Sequence, residues 1–273
     1  DVENLSPTVL SEGAFIASHN HNLWHRRLGH LNHKGMVQLK NGLATGVQFS
    51  DSNSFSRCVP CLEGKQCRKP FTKKMKGKRA KSKLGLVHSD ICELGELTWS
   101  GARYLLMFSD DFTRKSFGYL LKHKNETFSK FKEFKMLVEN ETEKKIKILR
   151  TDNGTEYTSR EFSQFLKHHG IKHETTVPYT PQQNGVSERM NRVIIEKARC
   201  MLQDSGLDKK FWGEAVNTAI YLKNRSPTAA IIGATPEEAW SGHKVDLSHL
   251  RVFGSRAYSH IPKHRRSKLD PKT

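Results

Sequence analysis

Three acidic residues lie where apolar segments end or a helical pattern begins, an arrangement that could hold divalent metal ions. Asp90 follows the apolar run 84–87, Asp152 follows the run 146–149, and Glu188 opens the next long helical pattern. Mg²⁺ binds several oxygen ligands, and two such ions about 3.5–4 Å apart stabilise the attacking and leaving oxygens of a phosphoryl displacement. Although strand-end acids also cap turns, this set predicts a carboxylate cluster for two-metal phosphoryl transfer, provided that the strand and helix ends converge.

A second set of metal-ligand types lies near the start of the chain. His25 and His30 precede a Cys-x-x-Cys pair formed by Cys58 and Cys61. Two neutral imidazoles and two thiolates complete a tetrahedral Zn²⁺ site of the structural kind, without which so small a unit has little core. The sequence leaves three competing ligands open: His21, His33 and Cys67.

The composition favours a polyanionic partner and a reducing compartment. The 273 residues include 46 Lys and Arg against 28 Asp and Glu, a net charge of +18 with a pI near 9.8. Such an excess of cations is typical of nucleic-acid-binding proteins, and the basic stretch 57–83 adds lysines that could contact phosphates. Five cysteines, two of them in Cys-x-x-Cys, indicate metal binding rather than a disulfide framework.

The sequence offers no pattern for a membrane or for secretion. Its apolar runs fall short of the about 18–20 residues that a membrane-spanning helix needs, and the start of the chain has no signal-peptide pattern. Because the chain begins at Asp1 rather than Met, we expect a piece of a longer polypeptide.

Hydrophobic periodicity predicts the elements that must position these residues. Predicted strands at 84–87, 104–108, 117–121, 146–149 and 171–177 alternate with predicted helices at 126–138 and 159–168. This order is typical of a mixed five-stranded α/β sheet flanked by helices: three strands, then a helix, a strand, a helix and a final strand. Further helices are predicted at 186–202, 209–224 and 236–240, and a β-like run at 250–253.

Seven sequence blocks occur in an order that identifies a family. They are Trp24-His25 with His30-Leu31-Asn32, Cys58 to Lys65, His88 to Cys92, Thr151 to Gly154, Asn184 to Arg189, Phe211 to Ala215, and His249 to Gly254. With these blocks, residues 22 to about 260 resemble the integrases of copia-type LTR retrotransposons, within the retroviral-type integrase superfamily. Such integrases are cut from a Gag-Pol polyprotein, which agrees with the missing Met.

The resemblance implies a fold and its metal sites. It implies an RNase H-like catalytic core preceded by a small helical zinc-binding domain with a His₂Cys₂ site. Asp90, Asp152 and Glu188 would be catalytic and would hold two Mg²⁺ ions, with Mn²⁺ as a substitute, and one structural Zn²⁺ would bind the His and Cys set. The expected division is a linker at 1–21, the zinc-binding pre-integrase domain at 22–72, a basic linker at 73–83, the catalytic core at 84–245, and the start of a truncated C-terminal β domain at 246–273.

The resemblance also implies an activity and partners. The reaction is the insertion of element DNA into target DNA by attack of a 3′-hydroxyl on a phosphodiester. The partners are the element DNA ends, target DNA and further copies of the chain in a homo-oligomer, with no membrane and no small-molecule substrate. The expected location is a cytoplasmic particle and then the nucleus, without secretion. Five residues are predicted to contact the DNA backbone: Gln182, Asn184, Arg192, Lys197 and Arg199.

Two departures and two alternative functions accompany this interpretation. Glu93-Leu94 stands where relatives often have Gly-Pro, beside the site but outside the triad, and the sequence ends partway into the family's C-terminal β-barrel. One alternative is an RNase H-like nuclease that cuts without joining. The other is a catalytically silent nucleic-acid-binding fragment of an element polyprotein.

Overall fold

The N-terminal part of the chain folds into a small helical unit. The structure, a computed structural model, describes residues 20–50, 58–65, 79–175 and 181–272, with backbone alone for 181–184. The unit contains α1 (His21–Arg27), α2 (His33–Gln38), a π-helical turn (Leu39–Leu43), β1 (Ala44–Thr45) and α3 (Val59–Lys65). The predicted end segment 1–19, Cys67 and most of the basic linker lie outside the described residues.

Local sequence explains where α1 and α2 begin and end. The Asn20 side chain accepts the backbone N–H of Asn22 at 2.8 Å, and the Asn32 side chain accepts that of Gly35 at 2.9 Å. Asn is favoured at helix N-caps because its short carbonyl side chain reaches these unpaired N–H groups. Gly29 and His30 both adopt left-handed backbone, with φ of 58° and 60°, and this turn ends α1.

The centre of the chain is a mixed five-stranded sheet, which confirms the predicted architecture. Its strands are β2 (Val87–Glu93), β3 (Tyr104–Asp110), β4 (Ser116–Leu121), β5 (Ile148–Thr151) and β6 (Lys172–Thr175). The order across the sheet is β4-β3-β2-β5-β6. The pairs β4–β3 and β3–β2 are antiparallel, whereas the pairs β2–β5 and β5–β6 are parallel. The intervening helices are α4 (Thr127–Thr142), α5 (Thr155–Thr158) and α6 (Arg160–His168).

Strand β3 is covered on both faces, as its uninterrupted apolar sequence requires. Leu106 and Phe108 face one core with α4 and α6, while Leu105 and Met107 face a second core. Successive side chains of a strand point to opposite faces, so one strand supplies both cores. On the α4 side, Phe108 stacks on Phe134 with ring centroids 4.3 Å apart.

The second core joins the sheet to the N-terminal unit. Helices α7 (Pro181–Ser205), α8 (Trp212–Asn224) and α9 (Pro236–Ser241) follow β6. Ile194 and Ala198 of α7 and Ala219 of α8 share this core with Trp24 and Leu28 of the N-terminal unit. The N-terminal unit therefore packs directly on the helices that cover the sheet.

The end of the chain returns to the N-terminal unit. Strand β7 (Val245–Asp246) pairs in parallel with β1, with Ala44 opposite Val245. The backbone N–H of Leu247 then donates to the Thr45 carbonyl at 3.1 Å. The β-like run predicted at 250–253 was wrong: these residues form no strand, and Leu250 and the partly buried Phe253 instead pack in the second core.

Two smaller sequence predictions also needed correction. The strand predicted at 84–87 begins only at Val87, because Leu84 has a φ of 59° and its N–H donates to Asp110 Oδ1 at 2.9 Å. Leu137, predicted on the apolar face of α4, is 51% exposed. Among the described residues, no helix combines the length and the apolar character that crossing a membrane requires.

The β1–β7 junction gives a prediction about stability. Gly46 has a φ of 74°, and a Cβ there would lie 2.8 Å from the backbone nitrogen of Ser248. Gly46→Ala therefore combines left-handed strain with a backbone clash, and we expect it to lower the free energy of unfolding by roughly 2–4 kcal/mol.

The matched control is Gly233→Ala, because Gly233 has a φ of 79° but no atom within 4 Å of the added Cβ. In urea unfolding, it should lose only the part of the free energy of unfolding that comes from left-handed backbone strain. Equal losses for the two variants would contradict the close approach at Gly46.

Candidate active site and metal centre

Asp90 and Asp152 lie at the same level of two adjacent parallel strands. Val87 of β2 pairs with Leu149 of β5, and each acid is three residues further along its strand direction. The ladder between these strands ends at the His88–Arg150 pair, so the strands part just before the acids. The gap leaves both carboxylates at one edge of the sheet.

The loop after β5 fixes the Asp152 side chain. Asp152 Oδ1 accepts the backbone N–H of Gly154 at 3.0 Å, which is a side-chain turn of the kind that Asp favours. Tyr157, on the short helix that follows, is fully buried, and its hydroxyl shares a 2.7 Å hydrogen bond with Ser89 Oγ of β2. This contact ties the loop after Asp152 to the strand that carries Asp90.

Helix α7 places Glu188 beside this edge. The helix packs on β2, and Asn191 Nδ2 donates to Asp90 Oδ2 at 2.8 Å. Residues three apart share one face of a helix, so Glu188 projects from the same face as Asn191. Glu188 itself is exposed, which leaves its carboxylate open to solvent and to a ligand.

Electrostatics show that the acids affect one another. The pKa of Asp90 is raised from 3.8 to about 7, mainly by burial and next by the charge of Asp152. Glu188 and Glu156 raise it further, against the opposing hydrogen bond from the Ile91 backbone. A buried acid surrounded by like charges is typical of a functional site, because a bound cation would reverse the penalty.

Two residues at this edge were missed by sequence reasoning. Glu156 adds a fourth negative charge, and Asn191 orients the Asp90 carboxylate. Asn191 could have been found from its position three residues after Glu188, since that spacing puts it on the same helix face. Glu156 gave no such signal, because only the fold of the loop after β5 turns it towards Asp90.

His25, His30, Cys58 and Cys61 form a tight donor cluster in the N-terminal unit. All four donor atoms lie within 4.8 Å of one another. Cys61 Sγ is 3.2 Å from His25 Nε2, Cys58 Sγ is 3.3 Å from His30 Nδ1, and the two ring nitrogens are 3.3 Å apart. When Zn²⁺ is bound tetrahedrally at normal Zn–N and Zn–S distances, N–N and N–S donor pairs lie about 3.3–3.6 Å apart. The set therefore fits one tetrahedral ion.

A hydrogen bond of His25 and an acidic neighbour of His30 orient the two imidazoles for this role. His25 Nδ1 is 2.8 Å from the Leu31 carbonyl, so it donates there and leaves Nε2 free of its proton. His30 Nε2 faces Asp204 Oδ2 at 3.8 Å, on the far side of the ring from the cluster. His21 and His33, which the sequence left open as ligands, hydrogen-bond to each other at 2.8 Å.

Asp90, Asp152 and Glu188 are not spaced as closely as the His and Cys donors. Among the described residues, the three carboxylates do not form a second, comparably close set of ligand atoms. A pair of ions about 3.5–4 Å apart needs no such spacing, because acids that bind different ions lie on opposite sides of the pair. Repulsion between the carboxylates also favours separation when no cation is present.

The donor cluster is packed on α7. Arg199 Nη1 donates to the Gly64 carbonyl of α3 at 3.2 Å, and Cys200 Sγ donates to the Pro60 carbonyl at 3.2 Å. The helix that carries Glu188 therefore also supports the donor cluster. The two candidate metal sites share one rigid element.

The predicted DNA contacts fall in three different environments. Arg192 is exposed one turn after Glu188, whereas Arg199 is exposed but bound to α3. Lys197 is only 6% exposed, and its Nζ donates to the Leu28 carbonyl at 3.4 Å, so it does not lie on an open surface. The side chains of Gln182 and Asn184 lie outside the described part of the structure.

Family comparisons agree with this arrangement. The GAG-pre-integrase domain family matches residues 2–66, and the integrase core domain family matches residues 80–181. The first range contains the donor cluster and the second contains Asp90 and Asp152. Glu188 lies just beyond the matched range, on the helix that packs against it.

Similar proteins are the polyproteins of plant transposons. The chain is 47% identical over 253 residues to the retrovirus-related Pol polyprotein from transposon TNT 1-94 of Nicotiana tabacum, covering 92% of this chain and 19% of that protein. It is 32% identical to the corresponding polyprotein from transposon RE1 of Arabidopsis thaliana, covering 93% of this chain and 17% of that one. The chain thus spans less than a fifth of the length of these relatives.

A solved structure shares the fold. A chain of the simian T-cell lymphotropic virus intasome, solved with the PP2A regulatory subunit B56 gamma, aligns with a TM-score of 0.50 and 20% identity. The alignment covers 75% of this chain and 66% of that chain. The sheet order and its flanking helices are those of an RNase H-like integrase core.

The raised pKa of Asp90 gives a prediction about stability and pH. Its pKa of about 7 in the folded protein exceeds the ordinary 3.8, so the folded state holds the proton more tightly than the unfolded state. Stability without added Mg²⁺ should therefore fall as pH rises from about 4 through about 7. Asp90→Asn removes this ionisation, so the variant should melt above the wild type at about pH 8 and close to it at about pH 4.

Thermal unfolding of the two proteins across this pH range measures the difference. Glu161→Gln, which neutralises an exposed acid on α6, serves as the control and should follow the wild type. A constant difference between Asp90→Asn and the wild type across the pH range would contradict the raised pKa.

Proposed function

Because the chain belongs to the integrases of copia-type retrotransposons, we propose that it joins element DNA to target DNA by metal-dependent phosphoryl transfer. The observation that carries this proposal is the electrostatic coupling of Asp90 to Asp152 and Glu188 at one edge of the sheet. Acids so arranged suit a pair of Mg²⁺ ions, with Mn²⁺ as a substitute.

In the proposed mechanism, Asp90, Asp152 and Glu188 would together hold the ions. When bound, the ions supply Lewis acidity to the attacking 3′-hydroxyl and stabilise the leaving 3′-oxygen of the target strand. Asn191 holds one oxygen of Asp90 and thereby directs the other towards the gap between the strands. The Gly154 N–H does the same for Asp152, and no covalent enzyme intermediate is required.

The proposed DNA path follows the exposed face of α7. Arg192 lies one turn beyond Glu188, where a guanidinium can pair with a backbone phosphate. Gln182 and Asn184, in the first turn of the helix, are proposed to contact the same strand. The net charge of +18 supports a binding affinity that falls steeply with salt concentration.

The proposed zinc ion has a structural role. Four protein ligands, His25, His30, Cys58 and Cys61, leave no open position for a substrate. Closing this site holds α3 and α1 against α7, and therefore supports the helix that bears Glu188.

The assembly and location are proposed by analogy with relatives. The structurally similar chain belongs to an intasome, and we propose that this chain likewise acts as a homo-oligomer on two DNA ends. Integration takes place in the nucleus, after a cytoplasmic particle stage.

Loss of the proposed zinc site should weaken the whole fold. Cys61→Ser should reduce bound zinc from one equivalent to well below one, and should lower the melting temperature, because the N-terminal unit shares a core with α7 and α8. Cys92→Ser is the control, since Cys92 is a free cysteine outside the donor cluster. Metal analysis and thermal unfolding measure both effects; full zinc content in Cys61→Ser would contradict the ligand assignment.

The joining activity itself can be tested on labelled element DNA ends with Mg²⁺. Asp152→Asn should lose several kcal/mol of transition-state stabilisation, which corresponds to a joining rate at least about a hundredfold lower. Binding of the same DNA, measured by fluorescence anisotropy, should change little. Glu161→Gln is again the control.

The alternative outcomes of this assay point to other functions. Joining by Asp152→Asn at the wild-type rate would exclude the proposed mechanism. Cleavage without joining by the wild type would identify a nuclease, and DNA binding without either reaction would identify a silent nucleic-acid-binding fragment.

A further inference from the structure

A cationic cavity lies between the N-terminal unit, α7, α8 and the segment 226–230. Its volume is about 470 Å³. Five cationic side chains line it: Lys65, Arg114, Arg189, Lys197 and Lys223. Glu196 is the one acid among the described lining residues. The cavity is therefore strongly positive at a place that the proposed DNA-joining reaction does not use.

Two of these lysines are buried without an acidic partner. Lys197 is 6% and Lys223 8% exposed. Lys197 Nζ donates to the Leu28 carbonyl, and Lys223 Nζ donates to Ser116 Oγ at 2.9 Å and to the Arg114 carbonyl. These acceptors are all uncharged oxygens. A buried ammonium that lacks an opposite charge is unfavourable, so the site is incomplete without an anion.

Each cation in the cavity also makes it less favourable for its neighbours to stay charged. Burial lowers the pKa of Lys197 and of Lys223 to about 7. Lys65 lowers the pKa of Lys197 further, against the opposing effect of Cys200 and Cys61, and Arg114 lowers that of Lys223. Arg114 pairs with Asp111 through Nη1 at 3.0 Å, but its buried Nε has no hydrogen-bond partner. The cavity wall thus contains an unused donor as well as uncompensated charge.

We propose that this cavity binds a small phosphorylated anion, which bridges the N-terminal unit to α7 and α8. Phosphate oxygens accept several hydrogen bonds from Lys and Arg at once, and the charge matches the lining. Met190, Val193 and Pro227 form an apolar part of the wall, which suits the organic portion of a phosphate ester. The site revises the prediction that Lys197 contacts DNA and adds a small ligand that the sequence did not suggest.

A DNA backbone fits this cavity less well than a small anion does. The phosphates of a duplex lie on a wide, stiff rod, whereas Lys197 and Lys223 are buried below the surface. Reaching both ammonium groups would require the helices to separate. A free phosphate or diphosphate enters without that change.

The test uses the full chain with its zinc, without DNA or added Mg²⁺, and inorganic pyrophosphate as the probe. Calorimetry should show saturable binding, and the melting temperature should rise with pyrophosphate concentration. Lys223→Met and Lys197→Met should each weaken binding at least tenfold. Without pyrophosphate each should melt no lower than the wild type, because a buried uncompensated charge has been removed. Lys167→Met, on the exposed surface of α6, is the control and should bind as the wild type does.

Two outcomes would overturn the proposal. One is the absence of saturable pyrophosphate binding by the wild type, or equal binding by Lys223→Met and Lys197→Met. The other is a rise in melting temperature with a 20-base-pair duplex but not with pyrophosphate. If both lysine variants lost that rise, the site would be assigned to DNA. Because no joining is measured, failure here leaves the proposed integrase activity to its own test.

Discussion

The position of helix α7 is the constraint on which the rest of the structure depends. One face of the helix packs on β2 and fixes the Asp90 carboxylate through Asn191. Another supports the zinc-type donor cluster through Arg199 and Cys200, whose partners are carbonyls of the N-terminal unit. A third packs on α8. A helix held on three sides cannot rotate, so the carboxylate that it carries keeps its position relative to the two strands even though Glu188 itself is exposed.

The same helix separates two regions of opposite charge. Near Glu188, burial and neighbouring acids raise the pKa of Asp90, and further along the helix, burial and neighbouring cations lower the pKa of Lys197 and of Lys223. Neither arrangement stabilises the fold by itself, because like charges repel most strongly where water is excluded. Both are relieved by ions of the opposite sign. The protein therefore has two places where ligand binding and folding stability are linked, one for cations and one for anions.

Local patterns predicted the sheet and the His and Cys residues that the fold gathers into one cluster, because apolar runs and the Cys-x-x-Cys pair are short-range signals. Apolar runs located the strands, the acids stood at their ends, and the Cys-x-x-Cys pair required two more ligands within reach. The burial of Lys197 was not predicted, because lysine is rarely buried, although Val193, Ile194 and Met201 one helical turn away are apolar. Packing against the Leu28 segment excludes water from its ammonium group. The short β1–β7 pairing was also invisible, because two-residue strands have no periodicity. The run at 250–253 had strand-like residues, but in the fold it pairs with no strand.

The pairing of Ala44 with Val245 has a consequence for biosynthesis. These residues are far apart in the sequence yet adjacent in the fold, so their contact has a very high contact order. Closing so long a loop is slow and follows the formation of the intervening sheet. During translation, β1 leaves the ribosome long before β7, so its pairing must wait until residues 245–246 have been made. A chain that is cut before residue 245 leaves the edge of β1 unpaired.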